Sequence, residues 1–97
     1  MKKSIIQDEK ECYVCHTTRC LEKHHIFNGT ANRKKSDHDG LTIWLCNRHH
    51  TGSNYSVHQN QELDLLIKKR GQLAWERTYG TREEFLKRYG KNYLEEL

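Results

Sequence analysis

The sequence predicts a small α+β domain in which two short strands are clamped by a metal and followed by C-terminal helices. Three observations predict it. Of the 97 residues 34% are hydrophobic and 31% charged, with a mean hydropathy of −1.05, so the core is thin and a chain this short needs a staple. Four cysteines (Cys12, Cys15, Cys20, Cys46) and seven histidines supply side chains that bind metals, a common staple at this size. The hydrophobic period changes from two before Cys46 to a helical one well after it.

Residues 1–11 are polar and read as a flexible start whose apolar stretch is too short for a signal peptide. Cys12-Tyr-Val-Cys15 reads as a tight turn presenting two thiolates to one ion. A strand is expected over 21–27, a long polar loop over 28–40, and a second strand over 41–45, where Leu41-Thr-Ile-Trp-Leu45 alternates. Asn47 is placed as the cap of a helical turn carrying His49 and His50, which Gly52 and Ser53 weaken. A firmer helix begins near Asn60, with Leu63, Leu66, Ile67 and Ala74 as its apolar stripe, Gly71 as a weak point and Gly80 as its stop. Thr81-x-x-Glu84 matches a capping box and opens a last helix whose Phe85, Leu86 and Tyr89 face inward, closed by Gly90. Trp75, Tyr79, Phe85, Tyr89 and Tyr93 read as core at helical spacing. The units are a start over 1–11, a core domain over 12–60 and a helical extension over 61–97 packed on that domain.

Cys12-x2-Cys15, thirty residues, then Cys46-x2-His49 gives two chelating pairs suited to a tetrahedral structural zinc. Cys20 falls outside both pairs and reads either as a small core residue or as a substitute ligand. His24 and His25 sit side by side on the first strand, where alternation points them in opposite directions, so one ring is available to a metal and the other to water. If the chain is helical beyond His50, Asn54 and His58 follow at steps of one turn, and the three form half of a second metal site.

Net charge is +4, with 17 Lys and Arg against 13 Asp and Glu, which is compatible with a polyanionic partner. Arg33-Lys34-Lys35 and Lys68-Lys69-Arg70 are the two short basic clusters. No apolar run reaches ten residues, so no membrane span is expected, and a cytoplasmic location with reduced cysteines is the expectation.

The joint series Cys-x2-Cys, His-His-Ile, an apolar strand and Cys-x2-His-His resembles the HNH endonucleases of the ββα-metal fold. The likeness is greatest to small phage-encoded members with stretches such as HHIFNG, NRKKS, GLTIWLC, SVHQNQELD and YGTREEFLKRYGKNYL. It runs from Cys12 through nearly the whole chain and makes 12–60 the HNH domain. The resemblance implies a divalent-metal-dependent endonuclease that nicks or breaks DNA at phosphodiester bonds. It places His24 as a ligand of the catalytic ion, His25 as the general base, His50 as a second ligand, and His58 or Asn54 as the third. The ion is Mg2+, Mn2+, Ni2+ or Zn2+, with imidazole ligands favouring the last three. Arg33, Lys34 and Lys35, expected on the loop between the strands, would hold DNA phosphates. The family's middle Asn, which orients the base through its backbone, has no counterpart, since Asp39-Gly40 stands there and leaves Asp39 as the candidate. Further implied are DNA as partner, phage packaging or recombination proteins beside it, and the cytoplasm of an infected or lysogenic bacterial host.

Two rival readings use the same residues: a catalytically silent zinc ribbon that binds nucleic acid, and an adaptor of a phage packaging machine. Neither has a use for His24, His25, His50 and His58 together.

Overall fold

The computed structural model describes residues 3–52 and 56–94. In chain order the elements are β1 (Leu21–His25), α1 (Thr30–Asp39), β2 (Thr42–Cys46), α2 (Asn47–His50), α3 (Gln61–Thr78) and α4 (Arg82–Tyr89). The architecture is thus α+β, as the sequence predicts, with a two-stranded sheet and four helices among the described residues. β1 and β2 pair antiparallel, with His24 opposite Ile43 and His25 opposite Thr42. Glu22 and His24 therefore share one face with Ile43 and Leu45, while Lys23 and His25 share the other with Thr42 and Trp44.

The stretch expected to be a polar loop is mostly the helix α1, and its stabilisation explains why periodicity hides it. α1 carries no apolar stripe; its buried residues are Ser36 and Asp39. Hydrogen bonds to the rest of the molecule hold it instead. Ser36 Oγ accepts from Phe27 N at 3.1 Å and donates to Phe27 O at 2.8 Å. Lys35 Nζ donates to Arg88 O at 2.6 Å, and Asn32 Nδ2 donates to Tyr89 O at 3.2 Å, both at the end of α4. Gly40 closes α1 with φ +76°, and a Cβ there would meet the Lys3 carbonyl oxygen at 2.6 Å, so only glycine fits.

Asp39 is the hub of the helical layer. Its buried carboxylate accepts from Arg88 Nε at 2.6 Å, Arg88 NH2 at 2.8 Å, Trp75 Nε1 at 2.8 Å and Tyr89 OH at 2.7 Å, and stands 2.9 Å from His38 Nδ1. Burial alone would raise its pKa, but the bonds from Arg88, His38, Tyr89 and Trp75 prevail and lower it to about 2. In turn Tyr89 is pushed up by burial and by the Asp39 charge.

α3 and α4 begin as expected. Asn60 accepts from Leu63 N at 3.1 Å, and Thr81 and Glu84 form the capping box. Ile67, Ala74, Trp75, Phe85 and Tyr89 are buried with Ile26, Phe27, Leu41, Ile43 and Leu45, and Tyr93 packs partly against them. Two expected core positions turn outward, Leu66 at 45% exposed and Leu86 at 44%, while Tyr79 is 39% exposed with its hydroxyl donating to Asp39 O at 2.7 Å and its ring against Trp75. Helical spacing gave too wide a stripe, because α3 and α4 share a narrow seam of Phe27, Trp75, Phe85 and Tyr89 rings and leave their flanks uncovered. Gly71 lets α3 approach closely, since a Cβ would sit tightly against Ile26 at 3.0 Å and Phe27 at 3.2 Å.

Ahead of β1, the segment expected to be flexible is tied to the β2 side. Ile5 N donates to Gly40 O at 2.8 Å, Gln7 Oε1 accepts from Trp44 N at 2.8 Å, and Tyr13 N donates to Trp44 O at 2.8 Å. Among the described residues no helix is long and apolar enough to cross a membrane.

Candidate metal centre

The first turn of the core domain is built to converge thiolates. His16 N donates to Cys12 O at 2.9 Å and Cys12 N to Thr17 O at 2.8 Å, and His16 and Cys20 take positive φ on the way into β1. The paired end of the sheet sets Cys46 opposite Leu21, and α2, starting directly after Cys46, brings His49 back over it. Asn47 is thus the first residue of α2 rather than its cap, a position Cys46 holds.

Cys12, Cys15, Cys46 and His49 offer ligand atoms that all lie within 4.8 Å of one another and form a cluster that can hold a metal. The edges are Cys15 Sγ to Cys46 Sγ at 3.8 Å, Cys12 Sγ to His49 Nδ1 at 3.7 Å and Cys46 Sγ to His49 Nδ1 at 3.2 Å. A tetrahedral zinc with Zn–S bonds of about 2.3 Å has S···S edges of about 3.8 Å, so the set is compatible with zinc. Burial works against ionisation of Cys12, yet backbone N–H groups of Cys15, Cys46 and Val14 outweigh it and bring the thiol down to about 6. A thiolate is therefore present near neutral pH. Cys20 is exposed, which corrects its placement in the core; its left-handed backbone turns its carbonyl to Asn47 N at 3.0 Å instead.

The second cluster is His24, His50 and His58, whose ligand nitrogens also lie within 4.8 Å of one another. Ring centroids are 5.4 Å apart for His24 with His50, 5.4 Å for His24 with His58 and 4.8 Å for His50 with His58. His24 is 2% exposed, and its Nε2 is buried with no hydrogen-bond partner among the described residues. Such an orphan atom costs free energy unless something outside the protein satisfies it. Burial, helped by His50 and His58, pushes the His24 pKa down to about 3, so the ring is neutral and its lone pair is free for a cation.

His58 arrives there by a different route from the one expected. α2 stops at His50, where Thr51 N and Gly52 N both return to Asn47 O, at 3.1 and 2.7 Å. The chain then comes back over α2, with Val57 N donating to His49 O at 2.7 Å. A turn, not two further helical turns, delivers His58. Asn54, the alternative ligand, lies outside the described residues.

His25 ends β1 and is half-buried. Alternation does place it on the opposite side from His24, yet both rings line one cavity of about 240 Å³ with Lys23, Asn28, Arg33, His50 and His58. Desolvation, then the charges of Arg33 and Lys23, lowers the His25 pKa, with Asp37 opposing them. Asp39 does not reach His25; its carboxylate is consumed by Arg88, Trp75 and Tyr89, which corrects its candidacy as the orienting group.

The first basic cluster is divided. Arg33 and Lys34 sit on α1 and line a wider cavity with His25, Asn28, Gly29, Thr30 and Asp37, whereas Lys35 is spent on the end of α4. In the second cluster Lys68 pairs with Asp64 at 2.9 Å and Arg70 Nη1 donates to Tyr13 OH at 3.2 Å.

Three residues at the site were not foreseen. Glu22 Oε1 stands 2.7 Å from His50 Nδ1, an arrangement that leaves Nε2 of His50 for an ion. Its signal was present, since Glu22 is two residues before His24 on the same strand face. Asn28 lines both cavities beside His25, and Asp37 approaches His25 from α1. Both were invisible while 28–40 was read as a loop.

Comparison with protein-family models, curated proteins and solved structures finds no match to this chain. The side-chain geometry itself carries the functional reading.

Proposed function

We infer that the chain is a metal-dependent endonuclease of the HNH kind, with a ββα-metal core formed by β1, β2 and α2, hydrolysing DNA phosphodiesters. In this reading Cys12, Cys15, Cys46 and His49 hold a structural zinc, and His24, His50 and His58 hold the catalytic ion. The observation that carries it is the buried Nε2 of His24, without a hydrogen-bond partner among the described residues, between His50 and His58, with His25 lining the same cavity. A zinc clamp or a binding module has no need of a second nitrogen cluster beside a free imidazole.

Hydrolysis requires a deprotonated water and stabilisation of charge on the phosphate and the leaving oxygen. When bound, the divalent ion supplies that positive charge. A set of three imidazole ligands suits Mn2+, Ni2+ or Zn2+ better than Mg2+. His25, held neutral by desolvation and by Arg33 and Lys23, takes the proton from water. Arg33 and Lys34 sit beside it to hold the neighbouring phosphates of the same strand. Small phage enzymes of this kind are the model for its setting, beside DNA packaging or recombination proteins.

The test is nicking of supercoiled plasmid with and without added Mn2+. Wild-type protein should nick only with the ion, and His25→Ala should lose about 10²–10⁴-fold in rate, the usual contribution of a general base. Absence of divalent-dependent cleavage on plasmid, linear and single-stranded DNA alike would transfer the assignment to a nucleic-acid-binding module.

A further inference from the structure

The groups around His25 include one acid within ion-pair distance among the described residues. Asp37 Oδ1 stands 3.5 Å from His25 Nε2 and accepts from Lys23 Nζ at 2.6 Å. The first distance is just beyond the usual hydrogen-bond range, as catalytic contacts often are before substrate arrives.

The backbone that carries that carboxylate is fixed in place. Asp37 follows Ser36, whose hydroxyl is bonded to both backbone groups of Phe27, two residues beyond His25. The turn of α1 that carries Asp37 is thereby fastened to the chain leaving β1. Lys35 and Asn32 fasten the same helix to the end of α4, and the Asp39 hub fastens its last turn. Lys23, on the same face of β1 as His25, holds the oxygen that faces the imidazole. The bonds that hold α1 on the molecule thus also fix the backbone of Asp37 beside His25, whereas an ordinary surface pair of long side chains is usually free to part.

We propose that Asp37 is a positioning residue for His25. Its carboxylate accepts the Nε2–H of the imidazole, fixing the tautomer so that Nδ1 keeps the free lone pair. Lys23 keeps the carboxylate in place. The task that the resemblance assigns to a backbone carbonyl near the start of the second strand is here performed by a side chain of α1. The catalytic consequence rests on the nuclease reading above; the tautomer does not.

The experiment records the imidazole nitrogens of zinc-loaded protein by long-range proton–nitrogen correlation, in the wild type, Asp37→Ala and Asp37→Asn, with thermal transitions as a folding control. Asp37 is 44% exposed at its side chain, so both variants should fold. In the wild type His25 should be the Nε2–H tautomer. Asp37→Ala should give a mixture at His25 alone, leaving His24, His50 and His58 unchanged, and Asp37→Asn should restore part of the preference through its amide oxygen. In plasmid nicking Asp37→Ala should lower kcat about tenfold to hundredfold, as for groups that orient a site's imidazoles, with little change in KM. A His25 tautomer unaltered in Asp37→Ala overturns the proposal, and so does an unaltered kcat in a protein whose wild type nicks DNA. If the wild type cleaves nothing, the nuclease reading falls and the tautomer alone decides the role of Asp37.

Discussion

His49 and His50 are adjacent on α2, yet His49 joins three cysteines while His50 faces His24 and His58. The first cluster has four ligands, two of them on buried cysteines, and its Cys15–Cys46 thiol edge is already at tetrahedral spacing. The second has three imidazole nitrogens, borders an open cavity and leaves His24 Nε2 without a partner among the described residues. Four ligands complete a tetrahedron and stabilise the fold; three leave a position open to water or substrate. The shared short helix gives both clusters one rigid origin, so an ion held by the first would also position the second.

The strongest break in this comparison is at the clamp. Cys46→Ser should abolish the cooperative thermal transition and lose the tightly held ion, since structural zinc contributes on the order of 10 kcal/mol in small metal domains. Retention of both by circular dichroism and metal analysis would move the staple elsewhere.

His50→Ala should act on the open site alone. It should keep the transition and the first ion yet lose cleavage by about 10²-fold or more, with partial rescue by excess Mn2+ or Ni2+. His25→Ala should be inactive to a similar degree without any such rescue. Equal responses of the two variants to added ion would erase the distinction between ligand and base.

A third test separates metal from helix packing. Asp39→Asn should cost about 3 kcal/mol, the lower end for breaking a buried ion pair, because the partner Arg88 is a third exposed. The Asp39 pKa is about 2 in the folded chain against an ordinary 3.8. The carboxylate therefore contributes stability that is complete above about pH 4 and disappears as pH falls to 2, about 2 kcal/mol in all. Chemical denaturation of zinc-loaded protein at pH 7, where the thiolates keep their ion, should show the lower stability of Asp39→Asn, with both ions held in each variant.

The smallest expected effect concerns DNA. Replacing Arg33 and Lys34 with alanine should reduce the slope of log affinity against log salt by about 0.9 for each phosphate contact removed, measured by fluorescence anisotropy. Lys35→Ala should leave the slope unchanged and lower stability, because its ammonium is already spent on the Arg88 carbonyl oxygen.

What the sequence disclosed divides along the same line. Ligand spacing, the capping box at Thr81 and the alternation around Trp44 are local codes, and the strands, α3, α4 and the first cluster follow them. α1 obeys no local code: its residues are polar all round, and its partners Phe27, Arg88 and Tyr89 lie 9 or more residues away. With it the setting of Arg33, Asp37 and Asp39 was hidden, including the choice of which acid reaches His25. His58 was found for a reason that did not hold, since a returning turn replaced the helix assumed to carry it.

Native mass spectrometry of the folded protein in excess Zn2+, before and after a mild chelator, tests most directly whether neighbouring histidines serve two different ions. The wild type should carry two ions and keep one after the chelator, while His50→Ala should carry one that resists it. A wild type that never binds more than one ion, or a His50→Ala protein that still binds two, would contradict the division between a closed clamp and an open site.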